Sequence, residues 1–197
     1  MAQVAASVPR TGHSRDAHDW RTYRAGRAIR MGSAARITVI GVGNEYRRDD
    51  GVGWAVVTRL MADARHRPLP GGTALRVCDG DPARLIALWE GTDLAVVVDA
   101  AHAHPGRPGR VHRLELDGGP WSRTSGTTSS HGLGLGEAVE LARALDRLPG
   151  RLVVYAVEGA DTGPGTGLSE PVAAAVDPLA RRIRSDLAWC RQDTATR

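Results

Sequence analysis

Lysine and phenylalanine are absent from the chain, and asparagine occurs once, as Asn44. All three use AT-rich codons, so a GC-rich genome explains the bias, and the one asparagine that survives it marks a position with a specific need. The lack of lysine removes the residue that a Walker loop sends to the phosphates. Only two cysteines are present, Cys78 and Cys190, without the Cys-x-x-Cys spacing of a zinc or redox site. Buried free thiols are expected at both. Long apolar runs are missing too. Segments such as Leu94 to Val98 fall far short of a bilayer span, and no charged-then-apolar leader opens the sequence. The expectation is a cytoplasmic protein with no membrane partner.

Basic charge is present but lies in the wrong place for nucleic acid. The net charge is +4, and residues 1–30 account for it, with Arg10, Arg15, Arg21, Arg24, Arg27 and Arg30 against Asp16 and Asp19. The rest of the chain is electrically balanced and lacks the footprint of a phosphate-backbone binder, so no nucleic-acid partner is expected. With 197 residues there is room for one domain with a real core. Residues 1–30 read as a disordered basic extension, residues 31–190 as a single α/β domain and residues 191–197 as a frayed tail.

Strand and helix patterns alternate after Met31. Arg36 to Val42 is a short β-branched run, and Val52, Val56, Val57, Leu60 and Met61 then recur at helical spacing. A second strand is expected over Thr73 to Asp79, a short helix from Pro82 to Glu90, and the most apolar strand from Asp93 to Ala100. Gly109 to Leu116 alternates in polarity and reads as an antiparallel edge strand. Asp117 to Ser130 is dominated by Gly, Ser and Thr and reads as a long functional or mobile loop. A helix from about Leu135 to Leu148, a strand from Arg151 to Val157 and a last helix capped by Ser169 complete the pattern. Such alternation predicts a three-layer α/β sandwich, with a mostly parallel, twisted central sheet and helices on both faces. Ligands bind beyond the carboxyl ends of such strands, which singles out the loops after Val42, Val98 and Val157.

The first of these loops opens as Gly41-Val-Gly43, which invites a phosphate. The dinucleotide fingerprint fails at its third glycine, where Tyr46 stands, and two aspartates at the next helix N-terminus repel a pyrophosphate. Carboxylates suit a cation instead. If the strand order is 2-1-3, Asp50 and Asp99 converge at the ends of neighbouring strands, and His131 lies just before a helix at the mouth of the long loop. Two carboxylates and an imidazole can bind Ni, Zn, Mn or Fe and leave positions open. Each residue alone has an ordinary alternative: an aspartate before a helix commonly caps it, a lone histidine commonly has no role, and Asp49 is read as the cap. His102 and His104, two apart on a loop, are expected to face solvent. Gly163 to Gly167 reads as a flexible connector, and Glu158 as a strand-end residue placed to support the ligands.

Four segments, "GVGNEYRRDDGVG", "VVVDAAHAHPG", "SSHGLGLGEAVELARAL" and "LVVYAVEGADTGPGTGLSEPVAAAV", occur in the order and spacing of the hydrogenase maturation proteases. From about Arg36 to Arg184 the chain resembles that family, whose members remove the C-terminal extension from the large subunit of nickel-iron hydrogenases. The resemblance implies that Asp50, Asp99 and His131 are the catalytic and metal-contacting residues. It also implies that nickel is supplied by the substrate and that the partner is a hydrogenase large-subunit precursor. A monomer with no tightly held cofactor of its own is expected. The chain departs from the family in having Glu45-Tyr46-Arg47-Arg48 before the acidic pair, Asp81-Pro82 where many members have Gly after Asp-Gly, and Asp50 where some have glutamate. No Ser-His-Asp or Cys-His set stands out, so a covalent nucleophile is not expected. A non-catalytic nickel-dependent chaperone for the same subunit would show the same residues, and a hydrolase or phosphorylase on a related sheet has only fold analogy behind it.

Overall fold

Four parallel strands whose carboxyl ends lie along one edge organise the chain. The computed structural model describes residues 35–116, 127–129 and 134–195, so residues 1–30 and His131 lie outside the described residues. Strand β1 is Ile37–Val42, β2 is Thr73–Cys78 and β3 is Leu94–Ala103. Then come β4, Val111–Leu116, the short β5, Thr127–Ser129, and β6, Leu152–Glu158. The helices are α1, Val52–Ala64, α2, Pro82–Trp89, α3, Gly134–Ala144, and α4, Glu170–Ala195. The sheet order is β2-β1-β3-β6-β4, with β5 paired to β3. β1 is parallel to β2 and β3, and β3 to β6, whereas β4 runs antiparallel at the edge. The expected α/β sandwich and the 2-1-3 order are both present.

Burial explains which runs became which strands. Every residue of β1 is buried, as are the first eight of β3, because helices cover both faces there. On one face Val39, Val96, Val98 and Val157 pack against Val52, Val56, Val57 and Leu60 of α1 and Leu179, Ile183 and Leu187 of α4. On the other, Ile40, Val42, Val97 and Val154 meet Leu85, Ile86 and Trp89 of α2 and Leu135, Ala138, Val139 and Ala142 of α3. Each such Val or Leu contributes about 1.5–3 kcal/mol on leaving water. Asp81 caps α2 by accepting the Arg84 amide at 2.8 Å, and Pro82 fills its first turn. The Asp81-Pro82 departure from the family pattern is thus a helix start.

The structure corrects some details. Met61 is 44% exposed rather than inward-facing. α3 stops at Ala144 and not at Leu148: Asp146 turns left-handed, at φ +53°, which leaves Leu145 52% exposed. Thr127–Ser129, expected to be loop, forms β5 because the overhang of β3 offers it an unpaired edge. Cys78 is buried and free. Among the described residues no helix is long and apolar enough to cross a membrane.

The contact between α1 and the sheet positions the candidate site. A Cβ on Gly53 would lie 2.3 Å from the Val42 carbonyl oxygen and 2.5 Å from that of Val98. A Cβ on Gly41 would lie 2.2 Å from the Gly53 carbonyl oxygen. These glycines let the start of α1 rest directly on β1 and β3. Tyr46, which stands where a dinucleotide loop has its third glycine, is out of this contact and 67% exposed.

Candidate active site

After Val42 the chain turns tightly into a 3-10 helix, Arg48–Gly51. Gly43 permits the turn, with φ +132° and no room for a Cβ, which would sit 1.8 Å from the Asp50 carbonyl oxygen. Asn44 Oδ1 accepts the Tyr46 amide at 2.9 Å, and the Asn44 amide donates to Asp50 Oδ2 at 3.0 Å. The Asn44 side chain thus serves this turn as an acceptor. The left-handed non-glycine residue of this segment is Arg48, at φ +48°.

The two adjacent aspartates have different surroundings. Asp50 is 2% exposed and its carboxylate closes back onto the Asn44 amide. Asp49 does not cap the helix, as its position suggested. Its side chain is fully buried and accepts the Ala160 and Asp161 amides at 2.8 and 3.0 Å, the Ser169 amide at 2.6 Å and the Ser169 hydroxyl at 2.9 Å. Burial pushes the Asp49 carboxyl up, but the amides of Ser169, Asp161 and Ala160 and the Ser169 hydroxyl outweigh it and hold it below the ordinary aspartate value. The segment expected to be a flexible connector is stitched to the first loop. Arg47 and Gly165 form a parallel bridge, the Arg48 amide donates to the Gly165 carbonyl at 2.9 Å, and the Gly165 amide donates to the Tyr46 carbonyl at 2.9 Å.

Asp99 is 1% exposed and is the first residue of β3 beyond its pairing with β1, which ends at Gly41 opposite Val98. The 3-10 helix carrying Asp50 packs against β3. β5 takes over the edge that β1 vacates, pairing Ser129 with Ala101. Glu158 pairs with Ala101 from the other side, so it shares a sheet face with Asp99 one row further along. It is 2% exposed, accepts the Arg107 amide, and lies 2.6 Å from His112 Nε2. Burial raises the Glu158 carboxyl, but the Arg107 amide and His112 outweigh it and hold it below the ordinary glutamate value. His102, three residues along β3 from Asp99, lies on the opposite face; it is half-buried, with Nε2 3.4 Å from Thr162 Oγ1. His104 is exposed. Among the described residues no three His, Cys, Asp or Glu side chains form a group able to hold a metal. Asp50 and Asp99 are both at this edge, while His131 lies outside the described residues.

Reading the sequence missed Asp49, Gly53 and His112. A signal existed for the first: two adjacent acids cannot both cap one helix, and Asp49-Asp50 leaves one of them needing distant donors. For Gly53, its place in the first turn of α1 beside the Gly41 strand was a weaker hint. His112 gave none, since a histidine on an alternating edge strand looks like any solvated one.

Known proteins resemble the chain in sequence and in fold. A sequence model of the hydrogenase maturation protease family matches residues 55–186, a span that includes Asp99 and the position of His131 and begins just past Asp50. The hydrogenase 2 maturation protease of Escherichia coli K12 is 28% identical over 156 residues, which is 77% of this chain and 90% of that protein. The hydrogenase maturating endopeptidase HybD from E. coli superimposes with a TM-score of 0.62 at 25% identity, covering 79% of this chain and 93% of the other. A hydrogenase 2 maturation peptidase from a Thaumarchaeota archaeon gives a TM-score of 0.55 at 26% identity, over 77% and 97%. The family match covers more than half of the sequence, and the chain therefore belongs to the hydrogenase maturation proteases, which makes it an endopeptidase of hydrogenase maturation.

Proposed function

We propose that the chain removes the C-terminal extension from a nickel-iron hydrogenase large-subunit precursor, and that it recognises nickel held by that precursor through Asp50, Asp99 and His131. The observation that carries this reading is the pair of nearly fully buried carboxylates at the edge where β1 stops beside β3. Carboxylates are oxygen donors of the kind a divalent ion takes. In sequence His131 follows by two residues Ser129, which pairs with Ala101, two residues from Asp99.

Nickel bound there would polarise the scissile carbonyl or lower the pKa of an attacking water. The protein's own part is to hold Asp50 and Asp99 fixed and shielded from bulk water at the edge of a rigid sheet. Water is the attacking group in this scheme, and the thiol nearest the site fits that. Cys78, at the end of β2, is 1% exposed, and burial pushes its thiol above the ordinary value, the opposite of an activated nucleophile.

Incubating the chain with nickel-loaded and nickel-free precursor, and weighing the precursor's C-terminus by mass spectrometry, tests the proposal. Shortening of the nickel-loaded form alone is expected. Equal cleavage of both forms contradicts nickel recognition. Nickel-dependent binding without cleavage contradicts the protease step on this substrate and points to a chaperone.

A further inference from the structure

Asp49 has no part in the scheme above, yet it is fully buried and accepts four hydrogen bonds, all from residues 160–169. We propose that Asp49 is a positioning residue for cleavage: it locks the 3-10 helix that carries Asp50 against the loop between β6 and α4, and thereby sets where the Asp50 carboxylate points. The inference rests on the proposed role of Asp50.

Consecutive residues of a 3-10 helix project about 120° apart, so fixing the direction of Asp49 fixes that of Asp50. The partners of Asp49 lie between 111 and 120 residues away in sequence, on the loop that follows another strand of the sheet. The clasp therefore ties the rotation of the 3-10 helix to β6 as well as to β1. Other bonds act in the same sense. The Asp49 amide donates to the Asp161 carbonyl at 3.0 Å, and Arg48 Nε lies 3.2 Å from Asp161 Oδ2. Arg48 holds its left-handed φ between these contacts. On the far side of the helix the Asn44 amide pins Asp50 itself. Only a carboxylate satisfies the Asp49 position. Oδ1 receives one donor and Oδ2 three, so an asparagine would turn an N–H toward a donor whichever way its amide is placed.

The test compares Asp49→Asn and the milder Ser169→Ala with Leu187→Ala, a core truncation at the opposite end of the sheet, all in the full chain. For cleavage of nickel-loaded precursor, Asp49→Asn is expected to lower kcat about 10–100-fold with KM within about threefold of the wild type. Ser169→Ala, which keeps the Ser169 amide donor, should lower kcat less and in the same pattern. Leu187→Ala should lower the melting temperature at least as far and leave kcat unchanged. The inference is overturned if both clasp variants keep the wild-type kcat, or if kcat in all three follows the melting temperature alone. Failure of the wild type to cleave is a different outcome: it removes the proposed function, and this inference with it.

Discussion

Four carboxylates are buried among the described residues, Asp49, Asp50, Asp99 and Glu158, and all four lie at or beyond the carboxyl ends of the parallel strands. Towards the amino ends the same sheet buries Leu94, Val96 and Val153 against Ile183 and Leu187 of α4. The Tyr155 hydroxyl beside this cluster donates to the partly exposed Asp186; burial, then this neighbour, push it up to about 12, so it stays protonated. One end is held by apolar area. The other depends on backbone contact through glycines and on charges satisfied by amides from distant loops. The difference teaches that stability and chemistry are drawn from separate ends of a single sheet, with α1 as the element that joins them.

Gly53→Ala is expected to break that division most severely, because its Cβ would meet the carbonyl oxygens of Val42 and Val98 at 2.3 and 2.5 Å. No rotamer change relieves a backbone clash, so a loss of about 3 kcal/mol or more is expected together with loss of cleavage. Urea denaturation at wild-type stability would show that the close contact is dispensable. Leu187→Ala should cost about 2–5 kcal/mol of stability from the cavity it leaves, with kcat of the folded protein unchanged. A matching fall in kcat would mean that the two ends are not separable.

Glu158→Gln should have a smaller, pH-dependent effect. Because folding holds the Glu158 carboxyl below its ordinary value, its ionised contacts contribute fully above the unfolded-state value and are lost as pH falls through the folded-state one. The variant should be about 1–3 kcal/mol less stable than wild type near pH 7, with the gap closing as pH drops below about 4. A gap independent of pH would place the effect in packing. Least of all, Gly136→Ala on α3 should raise stability by about 0.5–1 kcal/mol, since a Cβ there meets nothing within 4 Å and helical glycine is entropically costly. A lowered melting temperature would show that this glycine serves a contact.

The apolar end was legible in the sequence and much of the chemical end was not. β1, β3 and β6 announced themselves as β-branched runs, and α1 and α4 as apolar stripes, since periodicity is a local property of the chain. The antiparallel β4 was also readable, because its outer edge is solvated and its polarity alternates. β5 was not, because three residues of Thr and Ser carry no period and pair only because β3 overruns β1. Asp50 and Asp99 were singled out from their places at strand ends, and both are buried there. Asp49 was misread as a cap because its donors come from residues 160–169, and nothing near it in sequence reveals them. The Gly163 to Gly167 segment looked like a flexible connector for the same reason. Glycine content shows where a chain can turn, and the Arg47–Gly165 bridge that fixes it is a tertiary fact.

The central claim, that buried carboxylates at one end of the sheet act on nickel carried by the precursor, is tested most directly by Asp99→Asn. The measurement is release of the C-terminal extension from nickel-loaded precursor, followed by mass spectrometry beside a melting curve of the variant. The account predicts a fall in cleavage of about 100-fold or more, with a melting curve that still shows a cooperative unfolding transition. Cleavage at the wild-type rate by a folded Asp99→Asn variant would contradict it.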